Sequence, residues 1–390
     1  MIPYGKHHID EDDIQAVVDI LRSRFLTQGP AVEAFEKVVA EYVGAKYAVA
    51  VSSGTAALHI ATLAAGVGPG TSVVTSPITF VASANAARYC GGEVLFADID
   101  PETINISPDA LREVLLKNAN IKAVVPVHFA GLPCDMIAIK NLADDAGVFV
   151  IEDAAHALGA TYPNGKRVGC SENSLMTIFS FHPVKAISAG EGGMITTNDE
   201  ATYRKLIRLR SHGINKLDDL LQVEEEAFAD GDQNPWYYEM QELGFHYRIT
   251  DIQCGLALSQ FKKLDAFINR RRDLVKKYDL AFAKMRNCRP AQTKGRNESG
   301  HHLYVLRINF KRTTLTRGQV MRKLEGYGVG SQVHYIPVPL HPYYRKLGYR
   351  SENYSNAQIF YEEALSIPLF FDLSDDQQNY VIQAIKEVVG

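Results

Sequence analysis

Residues 47–65 read YAVAVSSGTAALHIATLAA, and this stretch decides the fold. Tyr47–Val51 is a short run without a charged residue, as a strand buried on both faces requires. Ser52-Ser53-Gly54-Thr55 interrupts it, and an Ala-rich run of helical length follows. Outward from here the alternation repeats. SVVTSP (72–77) leads into TFVASANAARY (79–89), and EVLFADID (93–100), AVVPVHF (123–129), VFVIEDAA (148–155) and LMTIFSF (175–181) follow. Strands alternating with helices up to about Thr197 imply an α/β fold, a mostly parallel central sheet with helices on both faces. GGMITTND (192–199) follows LMTIFSF after what reads as a short turn, which predicts an antiparallel hairpin partner.

Beyond about Thr250 the pattern changes. Residues 251–285 read as one long helical stretch with a basic face, Arg270–Arg272 being a solvated part of it. HHLYVLRINF (301–310) is strand-like, GQVMRKLEGYG (318–328) is helical, and SQVHYIPVPLHPYY (331–344) is proline-rich. The expected organisation is a large domain over 1–255 and a smaller C-terminal α+β domain over 256–390. Leu217–Asn234 is acidic and poor in strand signals, which predicts a surface insertion or mobile loop.

Charge and cysteines narrow the class. The 41 basic and 45 acidic side chains leave a net charge of −4, with no basic excess to suggest nucleic acid or a membrane surface. Five cysteines, an odd number without CxxC spacing, argue for reduced thiols and against a disulfide frame or a metal site. MIPYGKHHIDEDDIQ lacks the apolar core of a signal peptide, and no run approaches the length of a membrane span. The expectation is a cytoplasmic protein.

In such sheets ligands gather at the carboxyl ends of the strands. Ser52-Ser53-Gly54-Thr55, at a helix start, suits a phosphate, or is an ordinary N-cap. Asp153 closes a buried strand, where a carboxylate requires a cation or a capping role. His156, three residues on, reaches the same ligand or is a satisfied core histidine. FSFHPVKAISAGEGG (179–193) places Ser180 at a strand end and Lys185 just past it, in a setting that surface lysines do not need. Phe80 offers a flat face for a ring, or packs in the core. Taken together, these groups match a ligand with a phosphate, a basic ring nitrogen and an aldehyde. Pyridoxal 5'-phosphate carries all three.

The same residues carry a resemblance. The wording VSSGTAALH, SPITFVASANA, PVHFAGLPCDM, IEDAAHALGA, SFHPVKAISAGEGGMITT, RSHGI and LGFHYRITDIQ, with LTQGPAVEAFE near the start, resembles the DegT-type sugar aminotransferases. These are fold type I pyridoxal-phosphate enzymes of the aspartate aminotransferase fold, and the likeness runs over nearly the whole chain. SFHPVKAI, NPWYYEMQ and QVHYIPV are most similar to the UDP-4-amino-4,6-dideoxy-N-acetyl-beta-L-altrosamine transaminases of pseudaminic acid biosynthesis. The resemblance implies that Lys185 is the Schiff-base lysine, Asp153 the partner of the ring nitrogen, and Gly54, Thr55 and Ser180 the phosphate cup. It further implies that Phe80 stacks on the ring and His156 approaches the ring hydroxyl. Many relatives have asparagine at the position of His246, reaching the phosphate of the other subunit's cofactor. By position Arg24, His334 and Tyr335 are candidates for the substrate, against a surface charge and a packed loop. Relatives that act as dehydratases have histidine in place of this lysine, so Lys185 favours transamination. The implied activity is amino transfer from L-glutamate, through the pyridoxamine form of the cofactor, to the 4-keto carbon of a UDP-linked 6-deoxy sugar by a homodimer with shared sites. The alternatives are a perosamine-type or 4-amino-arabinose-type nucleotide-sugar aminotransferase, or a non-catalytic pyridoxal-phosphate-binding regulator. The last is disfavoured because no helix-turn-helix module is appended.

Overall fold

The computed structural model describes residues 1–215 and 221–390. Its centre is a seven-stranded sheet of β1 (Tyr47–Val51), β2 (Ser72–Thr75), β3 (Glu93–Phe96), β4 (Ile121–Val125), β5 (Phe149–Asp153), β6 (Met176–Ser180) and β7 (Gly193–Thr197). The order is β1-β7-β6-β5-β4-β2-β3. Strands β2 to β6 pair in parallel, whereas β7 is antiparallel to both its neighbours.

Strand β7 therefore does more than close a hairpin. Its partner across residues 181–192 is β6, with Ser180 opposite Gly193, but it also separates β6 from β1, with Val51 opposite that same glycine. The connection is a long loop that carries Lys185, not a tight turn. A Cβ on Gly193 would lie 2.4 Å from the Ser53 carbonyl oxygen, so only glycine lets the start of the helix after β1 press on β7.

Two cores follow from the period-two alternation of buried strands. Ala50, Val74, Val124, Val150, Phe179 and Met194 face one helical layer. Val49, Val73, Val125, Ile151, Ile178 and Ile195 face the other. Each of these Val, Ile, Phe and Met side chains stabilises the fold by roughly 1.5–3 kcal/mol relative to exposure, so every strand must be covered on both sides.

A third core packs on a small antiparallel sheet of Cys288–Pro290, Tyr304–Ile308 and Ala364–Ile367. Helices Arg317–Gly326 and Asp375–Val389 add to it, each opened by a capping box, from Thr316 and Ser374. The expected long helix is two, Asp251–Phe261 and Leu264–Phe282. The first runs across residue 255. The second gives Leu264, Phe267 and Ile268 to the large core and Leu274, Val275, Tyr278 and Phe282 to the small one.

One side chain of the expected basic face is not solvated. Arg271 is buried, its Nη1 donating to the carbonyls of Leu369 (2.8 Å) and His302 (3.3 Å), and burial pulls its pKa down to about 10. The register of the helix turns that position inward, which composition does not reveal. Of the acidic segment 217–234, the first four residues lie outside the described residues. The rest forms a short helix, Glu224–Ala227, and a small hairpin, largely exposed.

Candidate active site

The carboxyl ends of β1, β5 and β6 and the loop into β7 open on one cavity of about 450 Å³. At its floor the helix Gly54–Ala64 begins. Ser53 is the N-cap: its Oγ accepts the Ala56 N–H at 3.1 Å and its carbonyl the Ala57 N–H at 3.0 Å. Gly54 and Thr55 are thus the donors that the helix start leaves at the cavity. A Cβ on Gly54 would stand 2.9 Å from that of Ser180, so the missing side chain is what brings the Ser180 hydroxyl to the same spot.

Asp153 ends β5 and is buried. Its Oδ1 accepts the Ala155 N–H at 3.1 Å, a local turn rather than a helix cap, and its Oδ2 accepts Ser83 Oγ–H at 2.6 Å. Across the cavity, Lys185 is held by a turn in which its N–H donates to His182 O at 2.8 Å. Burial pulls the Lys185 amine down to about 8, against the Asp153 carboxylate, which favours the charged form. A substantial neutral fraction near pH 7 to 8 is what a nucleophilic amine requires.

The opposite wall is aromatic and imidazole. His156 Nε2 pairs with Tyr335 OH at 3.0 Å, and its ring lies 4.3 Å from that of His302. Burial, then the charge of Lys185, holds His156 well below the usual histidine range. His334, bonded through Nδ1 to Ser366 Oγ at 2.8 Å, is lowered to about 4 by burial and by Lys185. These imidazoles are neutral at physiological pH, and the Tyr335 phenol is pushed up by burial. The segment bearing His334 and Tyr335 is pinned to both bodies: Gln332 pairs with Ser366, and Val338 N–H donates to Pro77 O at 2.9 Å.

The cavity gathers Gly54, Thr55, Phe80, Asp153, His156, Ser180, Lys185, His334 and Tyr335. It does not gather His246 or Arg24. Both are exposed; His246 stands against the His212 ring, and Arg24 lies over Phe25. Four residues were missed by sequence reading. Tyr4 and His302 reach the cavity from distant segments that carry no local signal. Glu191 was in view within GEGG, and Ser83 sits three residues after Phe80, where a polar residue in an Ala-rich helix start was the available hint.

The residues present fit pyridoxal phosphate. His156 Nδ1 is buried without a partner, a place open to a ring hydroxyl. Phe80 is 58% exposed, an aromatic face left uncovered at the cavity. The free N–H groups at Gly54 and Thr55, the buried Asp153 and the half-buried Lys185 complete the set.

Residues 7–386 match the DegT/DnrJ/EryC1/StrS aminotransferase family. The chain belongs to this family. Among its relatives, the spore coat polysaccharide biosynthesis protein SpsC of Bacillus subtilis is 40% identical over 390 residues, covering 100% of this chain and 97% of the relative. The UDP-4-amino-4,6-dideoxy-N-acetyl-beta-L-altrosamine transaminase of Campylobacter jejuni is 36% identical over 382 residues, 98% and 96% of the two chains. Among solved structures, the putative sugar aminotransferase Spr1654 of Streptococcus pneumoniae in its PMP form superposes with a TM-score of 0.89 at 30% identity, covering 100% and 99%. PseC of Helicobacter pylori, an aminotransferase of pseudaminic acid biosynthesis, gives 0.88 at 29%, covering 100% and 99%. This DegT-family chain is a sugar aminotransferase that uses pyridoxal phosphate.

Proposed function

We propose that the enzyme moves the amino group of L-glutamate to the 4-keto carbon of a UDP-linked 4-keto-6-deoxy-N-acetylhexosamine, in the pathway to pseudaminic acid. The observation that carries the chemistry is the half-buried Lys185, lowered to about 8, opposite the buried Asp153. The substrate assignment is supported by the likeness to the Campylobacter transaminase and to PseC.

The bound cofactor supplies a carbonyl carbon for amine exchange and a ring that accepts electrons. The remaining tasks belong to the chain. Gly54, Thr55 and Ser180 hold the phosphate by hydrogen bonds, and Phe80 covers one face of the ring. Asp153 keeps a proton on the ring nitrogen, and His156 meets the ring hydroxyl. Lys185 Nζ takes the proton from the α-carbon of the donor and, in the second half-reaction, delivers one to C4 of the sugar. His334 and Tyr335 line the cavity wall, where a sugar would be read by hydrogen bonds.

We also propose a homodimer with shared sites, acting in the cytoplasm. Lys185 is the one lysine or arginine lining the cavity among the described residues, and it is committed to covalent chemistry. Anionic parts of a nucleotide sugar and of glutamate then need cations from elsewhere. Exposed apolar residues near Arg24 and His246 support a covered face there: Phe25, Leu26, Met240 and Leu243 are 43–77% exposed. For the cytoplasm, the support is that all five cysteines are free thiols, and among the described residues no helix is long and apolar enough to cross a membrane.

A panel of UDP- and dTDP-4-keto sugars, each assayed with L-glutamate, tests the substrate. Turnover is expected with the UDP-4-keto-6-deoxy-N-acetylhexosamine. Preference for a perosamine or 4-amino-arabinose precursor would overturn the assignment, and no turnover with any member, together with no spectral change on adding glutamate, would point to the regulator.

A further inference from the structure

Beside Asp153 the chain buries another carboxylate. Neighbouring strand residues point to opposite faces, so Glu152 faces away from the cavity, and it is fully buried. Four side chains donate to it. His128 Nε2 (2.8 Å) and Tyr162 OH (2.5 Å) meet Oε2, and Ser174 Oγ (2.6 Å) and Thr177 Oγ1 (3.1 Å) meet Oε1.

His128 is not a cation in this arrangement. Its Nδ1 accepts the Cys134 N–H at 3.1 Å, which leaves its one ring proton on Nε2. Among the described residues no lysine or arginine pairs with Glu152. Burial opposes its ionisation, but both carboxyl oxygens are met by donors, an arrangement that favours the charged form. A buried ion without a counter-ion is a poor way to stabilise a fold, since apolar residues of similar volume do so as well or better.

The donors come from segments that also build the cavity. His128 follows Val127, which lines it, and donates its own N–H to Asp153 O at 3.1 Å. Tyr162 closes the turns after His156. Ser174 leads into β6, which carries Thr177 and ends at Ser180. We propose that Glu152 is a positioning residue for the reaction: its charge, gripped by these four donors, sets the place of the Asp153 carboxylate and helps keep the ring nitrogen opposite it protonated. The inference rests on Asp153 being the partner of that nitrogen. In a dry sheet interior a charge acts over a longer distance than it does in water, so one residue of separation does not insulate Asp153 from it.

The test uses holoenzyme reconstituted with pyridoxal phosphate labelled with ¹⁵N in the ring, whose chemical shift reports protonation there. Glu152→Gln keeps the shape and removes the charge. The signal should move toward that of the unprotonated ring. The half-reaction with L-glutamate as probe should slow about tenfold, the scale of an outer-shell partner, with half-saturation changed by no more than about twofold. An unmoved signal, whatever the rate, overturns the proposal, because the network is then packing only. If Glu152→Gln does not fold, Ser174→Ala with Thr177→Val strips both donors from Oε1 and must move the signal the same way; an unmoved signal there overturns it equally. Asp153→Asn separates the two layers of the argument. If that variant leaves the signal in place, the assignment of Asp153 fails. If it moves the signal and Glu152→Gln does not, only the role of Glu152 falls.

Discussion

Two regions of the molecule handle their polar groups in opposite ways. At the strand ends around Lys185 and Asp153, polar atoms are buried, and most are matched one to one: Asp153 with Ser83, His156 with Tyr335, His334 with Ser366. Along residues 221–246 and 21–26 the chain is open, with apolar side chains such as Trp236 (73% exposed) and Leu243 (77%) left toward solvent. The strand-end region has a finished geometry within one chain. The open region leaves its apolar surface uncovered, and it carries His246 and Arg24. The difference teaches where to seek each kind of function: bond-making in the finished region, completion of the anion sites in the open one.

The largest effect should come from the finished region. Lys185→Ala is expected to lower turnover by on the order of 10³-fold or more while the protein still holds the cofactor, since the phosphate cup and ring contacts remain. Borohydride reduction of the wild type followed by peptide mapping should place the adduct on Lys185; an adduct on another lysine would break the comparison at its centre.

Next in size is a pH effect. With its pKa lowered from 10.5 to about 8, Lys185 is charged and unreactive below that value and neutral above it. The rate at which apoenzyme captures pyridoxal phosphate should therefore rise with pH and level off just above pH 8. At pH 8 an ordinary lysine would be neutral in roughly 0.3% of molecules, so capture should be roughly 10²-fold faster than such a lysine allows. A profile still climbing toward pH 10 in rapid-mixing absorbance would show the amine to be unperturbed.

Asp153→Asn should keep much of the cofactor affinity and lower turnover by roughly 10²-fold, because the ring nitrogen loses its charge partner. A near-normal rate would make Asp153 a structural residue.

The smallest effect belongs to the open region. His246→Ala should weaken cofactor binding about tenfold, the scale of one charge-assisted hydrogen bond to a phosphate. If the contact crosses between subunits, verified heterodimers of Lys185→Ala with a His246 variant that is itself impaired should recover activity, one of their two sites being free of both defects. No recovery, with both variants impaired and the subunits exchanged, would leave His246 serving its own chain or no phosphate at all.

Much of this was legible in residue order. Gly54, Thr55, Asp153, Ser180 and Lys185 lie at the ends of runs whose apolar continuity marks buried strands, and parallel strands bring their ends to one edge whatever connects them. His302 and Tyr4 were not legible as site residues, because each reaches the cavity through packing between segments far apart in the chain, and nothing nearby in sequence records it; Ser83, which meets Asp153 across a similar distance in the chain, had only its place in an Ala-rich helix start as a hint. Arg271 misled for the same reason: three arginines in a row read as a solvated face, yet the helix phase against two cores turns the middle one inward.

By itself, then, the sequence determined the strands, the helix starts and the kinds of group at the strand ends, since these follow from local periodicity and backbone chemistry. Only the tertiary structure decided that β7 slips antiparallel between β6 and β1, that four side-chain donors converge on the buried Glu152, and that His246 and Arg24 stand apart from their own chain's cavity. Those outcomes depend on long-range pairing and on which face each side chain meets, and a one-residue change of register would reverse them.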